Sequence, residues 1–219
     1  RAEHLKALLA HPPTMLPLVT LFLSICRGAL PHHAAAAFAG ARLVALLKPD
    51  GGIRPIGVPL VWRRVAGRIF NLKRKLDWKD AMVGCAGRVV QFVVGWKSGS
   101  QALNTAAQEI LTLNPGWIGC LIDVKNAFNS LSRAAMAAGI AACAQDGGRE
   151  VLAFFLMLHG QEADLIFNGT RVIRGKAGCT QGCGLGMQFF SLGSHPLLCD
   201  VAEQFPDVHI LSIADDTTL

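Results

Sequence analysis

The sequence predicts an α+β fold in which an antiparallel sheet of the split β-α-β kind carries helices on one face. Three observations carry that expectation. From Trp117 onward the pattern runs strand, helix, helix, β-hairpin, helix, strand. Asn168-Gly169 separates two short strand-like runs, Ala163 to Phe167 and Arg171 to Arg174, and is the strongest hairpin signal in the chain. Two apolar runs end in acid: Trp117 to Ile122 leads into Asp123, and Val208 to Ile213 leads into Asp215-Asp216. Residues 117–219 are therefore expected to form the sheet-bearing region, and 1–116 a region of N-terminal helices and a basic β-hairpin.

In chain order, residues 1–30 read as two short helices broken at Pro12-Pro13 and stopped at Arg27-Gly28. His32-His33 leads from a loop into an alanine-rich helix. Leu43 to Lys48 and Ile53 to Val58 are strands flanking the turn Pro49-Asp50-Gly51-Gly52, with Lys48 and Arg54 on either side of it. On an arbitrary hairpin these two cations are solvated edge charges. Over a site they would offer an ammonium and a planar fork to phosphate oxygens.

From Val61 to Leu76, Val61, Val65, Ile69, Leu72 and Leu76 share a helical face. Arg63, Arg64, Arg68, Lys73, Arg74 and Lys75 take much of the remainder, either as a solvated face or as a track for a phosphate backbone. Residues 84–100 read as strand and loop, followed by a helix to Pro115-Gly116. After Asp123 come a small-residue helix from Arg133 and an apolar helix from Arg149 to His159. A Gly-rich turn, Gly175 to Gly186, then leads into an apolar helix from about Leu185 to Glu203, expected to be interrupted near Pro196.

Alone, an Asp-Asp pair most simply marks a solvated turn. Two buried strands, each apolar behind and acidic in front, point instead to a shared cation site, because a charge at a buried strand end is costly unless paired or metal-bound. Asp123, Asp215 and Asp216 are the candidate ligands. Oxygen donors of this kind suit a hard cation such as Mg²⁺. Cys179, Cys183, His195 and Cys199 could be drawn as a zinc quartet, but their spacing is that of no standard knuckle.

Composition bounds the partner class. With 52% apolar and 16% charged residues, the 219-residue chain is globular, not disordered. Its formal charge of +6 points to a polyanionic partner. Seven irregularly spaced cysteines, mostly inside apolar runs, indicate reduced thiols in an intracellular protein. The run Met15 to Cys26 is too short to span a bilayer, so no membrane partner is expected. The first residue is Arg, and only Thr217-Thr218-Leu219 follow the acidic pair. The chain thus reads as part of a longer protein whose return strand is nearly absent.

Four blocks in order resemble a reverse transcriptase, and more narrowly those of non-LTR retrotransposons. Leu47-Lys48-Pro49-Asp50-Gly51-Gly52-Ile53-Arg54-Pro55-Ile56 resembles the family's fingers hairpin, and Asp123-Val124-Lys125-Asn126-Ala127-Phe128 its first catalytic block. Gly178-Cys179-Thr180-Gln181-Gly182 resembles its Gln-Gly block, and Ala214-Asp215-Asp216 its second metal-binding block. The departures are Ile213, where the family usually has an aromatic, and Gly184, Gly186 and Met187, where Pro, Ser and Pro are common.

The resemblance implies fingers and a ferredoxin-like palm without a thumb, and RNA-templated DNA synthesis with RNA template, DNA primer and deoxynucleoside triphosphates as partners. It implies two Mg²⁺ ions, with Mn²⁺ as the alternative, on Asp123, Asp215 and Asp216. Lys48 and Arg54 would hold the triphosphate, Phe128 would exclude ribose, and Gln181 and Gly182 would pack on the nascent pair. Location would be nuclear. Oligomeric state is not legible. The rival expectations are another palm polymerase (RNA-dependent RNA polymerase, intron- or retron-encoded enzyme), a decayed copy that only binds nucleic acid, and a basic structural domain without chemistry.

Overall fold

Prolines and glycines set many of the breaks between elements. Helices α1 (Ala2–Leu9) and α2 (Pro12–Cys26) part at His11, and Pro12 and Pro13 open α2, where the missing N–H has no intrahelical partner to lose. Helix α3 (His32–Ala39) leads into the ribbon β1 (Ala41–Leu47) and β2 (Ile53–Pro59), paired antiparallel from Ala41↔Pro59 to Leu47↔Ile53. Then follow α4 (Val61–Lys73), α5 (Lys75–Ala81), β3 (Val83–Gly84), β4 (Val89–Gln91) and α6 (Gly99–Leu113). The second half holds β5 (Leu121–Ile122), α7 (Ala127–Ser130), α8 (Arg133–Ala142), α9 (Gly148–His159), β6 (Ala163–Phe167) and β7 (Thr170–Gly175). It closes with α10 (Gly186–Gln204), β8 (Ile210–Ile213) and β9 (Asp216–Thr218). The interruption expected near Pro196 is absent, and α10 runs through that residue. The computed structural model describes residues 2–49, 51–143, 148–180 and 182–219.

Among the described residues the strands form two mixed sheets, ordered β2-β1-β6-β7 and β3-β4-β8-β9-β5. The Asn168-Gly169 hairpin is present, but it joins the ribbon, β6 running parallel to β1 through Ala41↔Leu165 and Arg42↔Ile166. The acid-bearing sheet is likewise mixed and not purely antiparallel, because Val89-Val90-Gln91 of β4 runs parallel to Ile210-Leu211-Ser212 of β8. Both differences have one cause: a hairpin's internal pairing is local, whereas the partner of its outer edge is chosen by packing across the molecule. A boundary at 116/117 therefore does not follow sheet membership, since each sheet takes strands from both stretches.

Strand β9 also departs from expectation. Three residues suffice for it to lie between β8 and β5, with Thr217 paired to both Ser212 and Ile122. The amide and carbonyl of Leu219 extend the ladder by bonding Cys120 at 2.9 and 2.8 Å. The run from Trp117 to Ile122, read as a buried strand, is an exposed edge: Ile118 keeps 87% of its surface and Leu121 84%. Its regular ladder is confined to Leu121-Ile122, with β9 on one side.

The main core gathers Phe70, Phe154, Phe155, Leu158, Phe189 and Leu192 around α4, α9 and α10. Helices α8 and α10 meet at small residues: a Cβ on Gly139 would lie 2.1 Å from the Leu192 carbonyl oxygen, and one on Gly193 2.9 Å from Met136 Cα. Arg88, just before β4, donates to the Ala202 carbonyl at 2.6 Å near the C-terminus of α10, where unpaired carbonyls need donors. Gln91 of β4 reaches the Ser191 carbonyl at 2.8 Å. These bonds hold α10 across β4 and so help to place β8 beside it. Among the described residues, no helix is long and apolar enough to cross a membrane.

Candidate active site

The acidic end of the second sheet is built by register. Ile213 pairs with Asp216, so Ala214-Asp215 form a two-residue loop in which Ala214 takes a left-handed φ of 57°. The pair Ile122↔Thr217 continues by one residue to set Asp123 across from Asp216. Facing Cα atoms in such a ladder lie about 4.5–5.5 Å apart. Asp123, Asp215 and Asp216 thus share one sheet end, Asp215 half-buried and the other two exposed. Among the described residues none of the three joins an ion pair, and no three His, Cys, Asp or Glu side chains converge into a closed metal cluster. The donor set is carboxylate oxygen throughout, which fits a hard divalent cation. The sheet supplies the neighbourhood, and rotation of exposed side chains would have to supply the final approach.

Beyond Asp123 the chain turns at Asn126, with φ 56°, into the single-turn helix α7. Phe128 lies on it, half-buried and stacked on Phe190 at 4.9 Å. The Gly-rich turn binds directly to this helix: Cys179 N donates to Phe128 O at 2.8 Å and Gly178 N to Leu131 O at 3.1 Å. Gly178 has φ +61°, and a Cβ there would fall 2.1 Å from Phe128 O, so the docking requires glycine twice over. On its other side the turn meets the ribbon, where a Cβ on Gly182 (φ +105°) would lie 2.4 Å from Gly57 O. Gln181 lies outside the described residues.

Lys48 and Arg54 stand on one face of the ribbon, near its tip. Leu46 pairs with Arg54, and Lys48 N bonds Gly52 O at 2.7 Å, which makes the two cations diagonal neighbours. Among the described residues they line an open cleft of about 460 Å³ with Leu46, Leu47 and Pro49.

The basic helix needs correction. The buried stripe of α4 is Arg63, Ala66, Gly67 and Phe70, two positions round from the expected face, and Leu72 is 71% exposed. Small Gly67 lets α4 approach the Gly-rich turn, reaching Gly184, with Asn71 donating to the Gly184 carbonyl at 3.0 Å. Arg63 is therefore not on a solvated face: it is 2% exposed and donates to Ala39 O at 2.9 Å. Arg64, Arg68 and Lys73 are exposed. Arg74 bonds Asp77 at 3.2 Å, and the Lys75 side chain lies outside the description.

Sequence reasoning missed two polar anchors, one half-buried and one buried. Arg133, at the start of α8, donates to the carbonyls of Gly178, Gln161 and Gly175 at 3.0, 2.9 and 2.9 Å, clamping the Gly-rich turn to the hairpin. His159, at the end of α9, is 4% exposed and lies 3.3 Å from Arg63. Arg63 can only donate, so His159 Nε2 accepts and the ring is neutral. Burial, then Arg63 and Arg133, hold its pKa well below the usual value. A proline-free apolar helix ending in His gave no signal of this.

Among the described residues the thiols do not gather with His, Asp or Glu into a metal cluster. Cys179 is buried against the Gly186 carbonyl, and burial, with Cys183 beside it, pushes its pKa up to about 12. Cys199 lies 3.6 Å from His195 Nε2, whose Nδ1 is 3.0 Å from Gln91 Nε2, and the Cys199 carbonyl faces the Cys85 thiol.

No family model matches the chain. Its fold is shared with apo telomerase from Candida tropicalis, with a TM-score of 0.52 and 15% identity over 84% of this chain and 39% of that one. It is shared also with telomerase from Candida albicans in complex with a fragment of telomeric RNA, with a TM-score of 0.50 and 13% identity over 86% and 38% of the two chains. The α+β architecture is thus one that the chain shares with telomerase. In sequence the chain resembles the Retrotransposable element SLACS 132 kDa protein of Trypanosoma brucei gambiense, being 28% identical over 179 residues. That match covers 81% of this chain and 14% of the relative, so the chain spans a small part of the protein it resembles. The chain thus shares its fold with these telomerases, and its sequence is similar to part of a retrotransposable element protein.

Proposed function

We propose that the chain forms the fingers and palm of an RNA-directed DNA polymerase that works by two-metal nucleotidyl transfer on an RNA template. The observation that carries this is the return strand β9, which sets Asp216 and Asp215 at the same sheet end as Asp123. These three carboxylates would hold two Mg²⁺ ions, with Mn²⁺ as the alternative. When bound, such ions activate the primer hydroxyl and neutralise the phosphate being attacked.

Nucleotidyl transfer needs positioning and charge neutralisation from the protein more than covalent help. Asp123 and Asp215 are the shared ligands and Asp216 the weaker one. Lys48 and Arg54, which line one cleft near the tip of the ribbon, receive the triphosphate of a deoxynucleotide. Phe128 presents the ring that excludes a ribose hydroxyl, held at its base by Phe190. Gln181 and Gly182 meet the nascent pair. Exposed Arg64, Arg68 and Lys73 bind template and primer through backbone charge. A nuclear location goes with this reading.

The test is primer extension on an RNA template by the whole protein that carries this chain. Asp215→Asn is expected to abolish extension while leaving RNA affinity within about twofold, since one carboxylate contributes little to backbone binding. Extension by the variant at the parental rate would remove the assignment. Mg²⁺ titration separates the binding-only alternative, which predicts no uptake near these aspartates.

A further inference from the structure

A second place in the fold concentrates positive charge, with carboxylates paired only to its outer cations among the described residues. Between the ribbon, the β6–β7 hairpin and the start of α8 lies a cavity of about 260 Å³. Arg63, His159, Arg133 and Thr180 line it together with Arg174 and Lys176. The outer two cations are already matched, Arg174 by Glu162 and Asp164 at 3.6 Å and Lys176 by Glu162 at 3.3 Å. The inner two guanidiniums are not. Among the described residues Arg63 and Arg133 meet carbonyls, a thiol and a neutral imidazole, and neither meets a carboxylate.

Two donors are also left over. Among the described residues, the enclosed Arg63 Nε and Thr180 Oγ1 have no hydrogen-bond partner. A guanidinium that is 2% exposed and hydrogen-bonds no carboxylate is an expensive arrangement unless an anion in the adjoining cavity balances its charge. Its neighbours show the same unbalanced field, for His159 is held neutral by burial and by both arginines.

We propose that this cavity is a phosphate-binding site, in which the charge of Arg63 and Arg133, matched by no hydrogen-bonded carboxylate among the described residues, holds one phosphate group. Planar guanidinium forks favour tetrahedral oxyanions over halides. The phosphate can come from a small free molecule or from a nucleic-acid backbone, and the chemistry of recognition is shared. The site is distinct from the acidic sheet end and requires no metal ion, so its test is run without divalent cations and is independent of polymerase activity.

The experiment follows the Arg63 Nε–H resonance by nitrogen–proton NMR. One arm titrates inorganic phosphate against chloride at equal ionic strength, and the other a short single-stranded RNA lacking terminal phosphates. A saturable shift of that resonance in either arm is expected, and the arm that shows it names the source. Asn129 also lines the cavity, so Asn129→Asp places a carboxylate there; it should weaken the shift-yielding ligand about tenfold or more. The rim pair Arg174→Gln with Lys176→Gln, which leaves the inner arginines in place, should weaken it several-fold. No shift in either arm, or a shift that Asn129→Asp leaves unchanged, overturns the proposal.

Discussion

At the scale of single residues, two buried groups matter more than their sequence context announces. His159 accepts from Arg63 and stays neutral, its pKa lowered by burial and by two guanidiniums. In the unfolded chain it titrates near its ordinary value of about 6.5. Between the lowered folded value and that point, the unfolded state binds a proton that the folded state refuses. Stability should therefore be insensitive to His159 above about pH 6.5 and fall as pH drops below it, by up to about 1.4 kcal/mol per pH unit. His159→Gln keeps an acceptor for Arg63 and removes the titration, so urea unfolding between pH 5 and 8 should show a slope smaller by one proton. An unchanged slope would put the acid sensitivity elsewhere. Arg63 carries the related lesson: it sits in a run of cations whose charge alone cannot tell a solvated face from a buried stripe.

At the scale of elements, close approach decides what the sequence pattern cannot. The ribbon, the Asn168-Gly169 hairpin and the long helix after the Gly-rich turn were all legible, because turn chemistry and apolar periodicity are local. The buried stripe of α4 was not, since it is chosen by Gly67 fitting against Gly184 and Leu185, a contact across the chain. The crossing of α8 and α10 follows the same rule. Gly139→Ala would drive a methyl into the Leu192 carbonyl, and the helices must separate to admit it. We expect a loss of about 1–3 kcal/mol, seen as a lower urea midpoint with the native topology retained. A midpoint equal to that of the parent would show that this crossing is loosely packed.

At the scale of the whole molecule, the candidate site was legible as residue types and order, and its assembly was not. Asp123 and Asp215-Asp216 could be picked out by their apolar runs, yet what brings them to one sheet end is a three-residue strand pairing on both sides. Thr217→Pro would remove its ladder donor and detach β5 from β8. The expected result in the whole protein is loss of extension with RNA binding and the first sheet intact; retained extension would mean that the acidic end holds together without β9. The strand carrying Asp123 is also the outermost of its sheet, with Ile118 and Leu121 bare to solvent. A concentrated sample should therefore self-associate strand to strand along that rim before anything else fails. Handling the chain in dilute buffer, or with a lysine at position 121, becomes the practical condition for seeing its chemistry at all.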